Sequence, residues 1–258
     1  MSQTSKCFHL FIFNDSVTSF CDTLNSKYDK NFSFSIVDAK GSPTKIREYA
    51  INYIYNLGYE NVMFADADDY FASNRVSITS DLLKDYDGVV NDLSLFNCGS
   101  VYKRNLISKH FNNRTLIKEN DLLDKNFIGM SNSAVKTKMI YELLPFPDNI
   151  VALDWYLFSI IIDKGARIIF TNDTHTFYRQ HDNNQVGFKS INNKLIKQTI
   201  KVKAQHYGLM LKFNKCKYTQ RFSKYSILSK DNFSSGETYK EKSLSKDDFT
   251  NHLWWESI

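Results

Sequence analysis

Asn61-Val62-Met63-Phe64-Ala65-Asp66-Ala67-Asp68-Asp69 is the stretch on which the fold turns. The apolar residues Val62 to Ala65 run straight into three carboxylates, as a buried strand does when it leaves a sheet for a polar loop. Carboxylates at alternate positions past a strand end can be aimed around one cation by the turn. Hard oxygen ligands of this kind suit Mn²⁺ or Mg²⁺, an ion that two adjacent phosphates would share. Acidic residues also serve as turn formers and helix caps, so the D-x-D spacing alone carries little weight. An EF-hand is excluded, because Phe71 and Ser77 stand where that loop needs its Gly and its Glu.

Upstream, Cys7 to Phe13 reads as a buried strand ending at Asn14-Asp15, and Ser16 to Tyr28 has helical spacing. Phe32 to Val37 reads as a second strand, stopped by Asp38-Ala39-Lys40-Gly41-Ser42-Pro43. Thr44 to Leu57 is an amphipathic helix carrying Ile46, Tyr49, Ala50, Tyr53, Ile54 and Leu57 on one stripe, with Gly58 at its C-cap. Strands alternating with helices imply an α/β fold, a mostly parallel central sheet flanked by helices. Ligands bind beyond the carboxyl ends of such strands. Asn14, Asp38 and the 66–69 cluster should therefore converge, with Lys40 and Arg47 as phosphate candidates.

Downstream, strands are expected at Gly88 to Asn91, Phe127 to Ser133, Arg167 to Thr171 and Thr176 to Tyr178. Helices are expected at Lys136 to Leu144 and Val151 to Asp163. After Lys189 the pattern is helical to about Phe213 and weaker beyond. This divides the chain into an α/β domain over 1–188 and a basic, mainly helical C-terminal extension over 189–258 that packs on it.

With 258 residues, 42% hydrophobic and 24% charged, the chain has ample material for one large core. The N-terminal residues show no signal-peptide pattern, and no apolar run approaches the roughly 20 residues of a membrane span. Cys7, Cys21, Cys98 and Cys216 are scattered, which argues against a zinc or redox motif and for buried, reduced thiols in a cytoplasmic protein. From Lys189 to Lys230 every charged residue is basic. Such a segment suits peripheral contact between 189–230 and an anionic membrane at its inner face, or an anionic glycan. Nucleic acid is not an expected partner, since no recognised module occurs and the proposed groove is acidic. Trp254-Trp255 reads as a tail packed back on the body, with a sugar-stacking platform as the alternative.

The ordered set of motifs resembles the family 2 glycosyltransferases. It comprises Val37-Asp38-Ala39-Lys40-Gly41-Ser42, Phe64-Ala65-Asp66-Ala67-Asp68-Asp69, Gly129-Met130-Ser131-Asn132-Ser133-Ala134, Leu153-Asp154-Trp155 and Tyr178-Arg179-Gln180-His181-Asp182-Asn183-Asn184. The resemblance spans roughly residues 7–188. It implies a GT-A (Rossmann-like) fold and inverting transfer of a single sugar from a nucleotide-sugar donor, a UDP-sugar being favoured, to a glycan or lipid-linked acceptor. It further implies that Asn14, Asp38, Asp66, Ala67 and Asp68 bind the donor, that Asp68 holds Mn²⁺ or Mg²⁺, and that Asp154 is the general base. Arg47 joins the donor site as a phosphate candidate, and His181, in a polar loop, could ligate the metal or donate to a phosphate. Asn132 and Trp155 would meet the acceptor. A carboxylate opening a helix, as Asp154 does, is expected to have a lowered pKa. Leu153 and Ala39 depart from the acidic residues usual at those positions, and the Gln-x-x-Arg-Trp signature of polymerising members is missing. These departures leave open a non-catalytic nucleotide- or carbohydrate-binding protein on the same fold.

Overall fold

The computed structural model describes residues 3–15, 33–97, 99–180, 193–230 and 253–256. The expected helix over 16–28, Cys21, Cys98 and His181 lie outside them.

Two short apolar runs form β1 (His9–Asn14) and β2 (Ser33–Asp38), a parallel pair in which Asn14 stands opposite Asp38. The Ala39 N–H donates to the Asn14 carbonyl at 3.0 Å, closing the two strand ends together. Helix α1 (Pro43–Asn56) begins where expected. Ser42 caps it by accepting from the Lys45 N–H at 3.3 Å, Pro43 occupies a position that needs no donor, and Gly58 follows the last turn at φ 80°.

β3 (Asn61–Met63) does not extend that parallel pair. It lies antiparallel beside β7 (Ser133–Lys136), at the edge of a six-stranded sheet. The sheet's order is β3, β7, β5 (Gly88–Asn97), β8 (Ile168–Arg179), β4 (Tyr70–Phe71), with β6 (Ser100–Lys103) also on β5. Among the described residues the β1–β2 and β5–β8 pairings are parallel, and β3–β7, β4–β8, β5–β6 and β5–β7 are antiparallel. The sheet is thus mixed where a mostly parallel one was expected, because chain reversals such as β5–β6 put neighbours antiparallel.

Three local readings change. The 127–133 segment contains a 3₁₀ turn, Met130–Asn132, before β7 begins, since Asn132 Oδ1 accepts from the Gly129 N–H at 2.7 Å and folds the chain back. The two strands expected around 167–178 are one strand, β8. Its pairing with β5 jumps from Asn91–Thr171 to Asp92–His175, so residues 172–174 form a bulge. The weak pattern after Phe213 is a full helix, α6 (Lys215–Lys230). Its buried residues, Tyr218 and Tyr225, lie two turns apart on one narrow stripe, which leaves little apolar signal to read.

Helix α2 (Arg75–Leu82) follows β4, and the short α3 (Thr137–Tyr141) follows β7. Helix α4 (Leu153–Asp163) is apolar on every side and buried along its length. Helix α5 (Asn193–Met210) packs against it, stacking His206 on Trp155 with ring centroids 3.9 Å apart. Helix α6 is tied to the body by Arg221, whose Nε donates to Asp124 Oδ1 at 2.9 Å and whose second nitrogen reaches Oδ2 at 3.0 Å. Lys217 lies 3.5 Å from Asp163, and Lys203 is buried against the Tyr225 ring at 5.1 Å. Part of the basic segment therefore faces inward; Lys197, Lys201, Lys212, Lys215, Lys224 and Lys230 remain exposed. Cys7 and Cys216 are exposed free thiols rather than the buried ones expected. Among the described residues no helix is long and apolar enough to cross a membrane.

Candidate active site

Beyond β3 the chain turns through Asp66-Ala67-Asp68-Asp69, and the four residues take different environments. Ala67 and Asp68 are exposed, Asp66 is half-buried and Asp69 is buried. Asp66 Oδ1 sits 3.7 Å from a guanidinium nitrogen of Arg47, one turn into α1. Burial raises the Asp66 pKa, and Arg47 opposes that shift. Asp69 accepts from the Arg179 N–H at 2.8 Å through Oδ1, tying the acidic loop to the end of β8. Its other oxygen is buried with no hydrogen-bond partner of ordinary geometry. The Ser131 hydroxyl lies beside it and only partly offsets burial, which pushes the carboxyl up to about 6.

A further residue carries this loop, and the sequence reading did not single it out. Arg75, 3% exposed, lies under the acidic turn. Its Nε donates to Asn91 Oδ1 at 3.1 Å and a terminal nitrogen to the Phe64 carbonyl at 2.8 Å. Its guanidinium lies 4.5 Å from the Phe71 ring centroid. Burial draws its pKa down to about 9, and Asp69 and Asp66 pull it back up. A buried cation beneath carboxylates fixes where their charge sits.

Asp154 stands in the first turn of α4, its Oδ1 accepting from the Trp155 N–H at 2.8 Å. The lowered pKa expected for a helix N-terminus is not what the structure gives. Burial dominates and pushes this carboxyl up to about 6, with the Trp155 N–H and Arg47 opposing and Asp66 adding to the rise. Such a group changes charge close to neutral pH, where proton acceptors work best.

Arg47, Asp66, Asp154, the turn 129–132, Tyr178 and Trp254 line one cavity of about 160 Å³. That is smaller than the roughly 300–1,000 Å³ typical of complete small-molecule sites. Tyr178 is held neutral, first by burial and then by Asp69, Asp66, Asp154 and Asp68 around it. Asn14 and Asp38 stand together at their strand ends, outside the lining of this cavity.

Two acceptor candidates are corrected. Trp155 is fully buried, donating from its indole nitrogen to the Leu122 carbonyl at 2.7 Å and stacking on His206, so it cannot meet a ligand. Asn132 is also fully buried. Its amide is spent on the Asn91 and Phe127 carbonyls, at 3.0 Å and 3.1 Å, and on the Gly129 N–H. It shapes the 129–132 turn of the cavity lining, with both amide hydrogens already spent.

Among the described residues no three His, Cys, Asp or Glu side chains are grouped to hold a metal ion. Asp66 and Asp68 still offer two hard carboxylates on one loop. Mg²⁺ commonly takes one or two such ligands and fills its shell with water and phosphate oxygens. The donor set therefore fits an ion that binds together with a diphosphate.

No protein-family model and no curated protein matches the chain. Solved structures do. One of S. aureus TarS residues 1–349 in complex with UDP-GlcNAc superposes with a TM-score of 0.60 at 14% identity, over 85% of this chain and 62% of that one. A second, in complex with UDP, gives 0.60 at 15% identity, over 87% and 64%. The chain thus spans less than two thirds of the length of either TarS structure. At this identity the likeness speaks for architecture alone, and the architecture is the GT-A fold.

Proposed function

We propose that this chain is an inverting glycosyltransferase that moves one sugar from a nucleotide-sugar donor to a glycan or lipid-linked acceptor. The observation that carries the reading is a single cavity in which Asp154, with a pKa near 6, faces Arg47 and Asp66. Asp154 takes the proton of an acceptor hydroxyl as that oxygen attacks the anomeric carbon. The bond from that carbon to the diphosphate breaks, the electron pair leaves with the nucleoside diphosphate, and the anomeric configuration inverts. Arg47 meets the diphosphate charge, and Arg75 holds the loop that presents Asp66 and Asp68. Mn²⁺ or Mg²⁺, held by Asp68, by His181 and by the phosphates, would offset the charge developing on the leaving group. Asn14 and Asp38, at their paired strand ends, and the exposed Ala67 complete the nucleotide end of the site. The UDP and UDP-GlcNAc bound by TarS favour a UDP-sugar donor here. Residues 189–258 serve as an extension of the 1–188 catalytic domain, and the exposed lysines of α5 and α6 suit a peripheral anionic membrane surface carrying the acceptor.

The test is release of UDP or GDP from a panel of UDP- and GDP-sugars with Mn²⁺. Release above background with one donor is expected. A folded protein that binds a nucleoside diphosphate yet releases none, with acceptors supplied, favours the non-catalytic binding reading. Arg47→Ala should weaken UDP affinity by roughly ten- to a hundredfold, as loss of a charge-assisted contact does. Calorimetric titration would show it, and an unchanged affinity removes Arg47 from the donor site.

A further inference from the structure

The C-terminal residues 253–256 return to the cavity from the far end of the chain. The Asn126 N–H donates to the Trp254 carbonyl at 2.8 Å, and Lys125 pairs with Glu256 at 3.0 Å. Leu253 and Trp255, each 6% exposed, sink into the main core on either side of Trp254. Two anchored neighbours make this a fixed wall. The half-buried Trp254 lines the cavity, its ring inclined at 70° to that of Tyr178 with centroids 5.6 Å apart. Gly129 packs directly against it. A Cβ on Gly129 would lie 3.2 Å and 3.3 Å from two Trp254 ring atoms, so the missing side chain lets the indole sit this close.

The cavity lining thus combines an indole with the carboxylates of Asp66 and Asp154. A sugar ring presents both matching surfaces, an apolar C–H face and an edge of hydroxyls that donate to carboxylates. We propose that Trp254 is the stacking wall of a sugar-ring subsite beside Asp154, so that the acceptor is engaged through a glycan residue. The proposal rests on the glycosyltransferase reading above and adds to it the acceptor class and a residue that selects it.

The experiment titrates methyl glycosides of glucose, galactose, mannose and N-acetylglucosamine onto the full chain by saturation-transfer NMR, with UDP or GDP and Mn²⁺ already bound. One glycoside should bind. Trp254→Ala should weaken it at least about tenfold, Trp254→Phe should stay within about threefold, and nucleotide affinity should not move. Gly129→Ala serves as a second variant, because Gly129 has an extended backbone at φ −93° that alanine accepts. It should shift the indole and weaken the same glycoside while the fold persists. Equal binding by wild type and Trp254→Ala, tighter binding by Trp254→Ala, or no glycoside bound to the nucleotide complex would each overturn the proposal. If no nucleotide binds, the donor reading fails separately, and the glycoside titration without nucleotide still decides the role of Trp254.

Discussion

Asp154→Asn is expected to lower the rate of sugar transfer by about 10²- to 10⁴-fold, the usual contribution of a positioned general base, while nucleotide affinity stays within about twofold. The amide keeps the size and the oxygen that accepts from the Trp155 N–H, and loses only the capacity to take a proton. Two pH-dependent readouts come with it. The base must be ionised, so wild-type kcat should fall as pH drops through about 6. Stability moves the other way. Asp154 and Asp69 both have folded pKa values near 6, above the ordinary carboxylate range. The folded state therefore binds more protons than the unfolded one between about pH 4 and 6, and the stability these groups contribute is lost as pH rises through about 6. Asp154→Asn removes one buried charge, so its melting temperature at pH 7 should equal or exceed that of wild type by up to a few degrees. A variant that unfolds instead would make Asp154 a structural cap. A variant that transfers sugar at the wild-type rate would remove it from the chemistry.

Arg75→Ala is the second large expectation, and it concerns the fold. Removing the guanidinium strips a donor from the Phe64 carbonyl and from Asn91, and leaves Asp69 and Asp66 without their buried counter-charge. Breaking a buried charge network from one side costs about 3 to 5 kcal/mol. For a chain of this size that is a fall in melting temperature of roughly 6 to 20 °C. Arg75→Lys should not restore it, since one ammonium cannot serve both directions that the planar fork reaches. Asp69→Asn in the Arg75→Ala background should recover part of the loss, because an amide leaves no unpaired charge. Thermal melts of the four proteins would check this. A loss below about 1 kcal/mol would mean that Arg75 carries little of the loop.

How much of this could be read from residues differs by element. The cap, helix and strand ends around 33–58 are local, and Ser42, Pro43 and Gly58 announce them. The acidic turn is equally legible, because Val62 to Ala65 is apolar and stops abruptly at Asp66. The pairing of β3 with β7 is not legible. It joins residues some 70 apart in sequence through a backbone ladder that leaves no mark on side-chain alternation. Trp155 and Asn132 were misread for a related reason. Beside a motif, an aromatic ring and an amide suggest a ligand contact, and only packing shows that His206 and three backbone groups already occupy them. Arg75 was missed because an arginine opening a helix ordinarily faces solvent. The Asp154 pKa was misjudged because the helix N-terminus is visible in sequence, whereas the burial that outweighs it is tertiary.

Whether the acidic turn receives a nucleoside diphosphate is decided by thermal stability with UDP and GDP, each with and without Mn²⁺. A ligand present at about 100 times its Kd adds about 2.7 kcal/mol, or roughly 5 to 11 °C for a chain of this size. The expected result is a rise of that order with one diphosphate, dependent on Mn²⁺ and lost in Asp68→Asn. A well-folded protein whose melting temperature responds to neither diphosphate would mean that the acidic turn is not a diphosphate site.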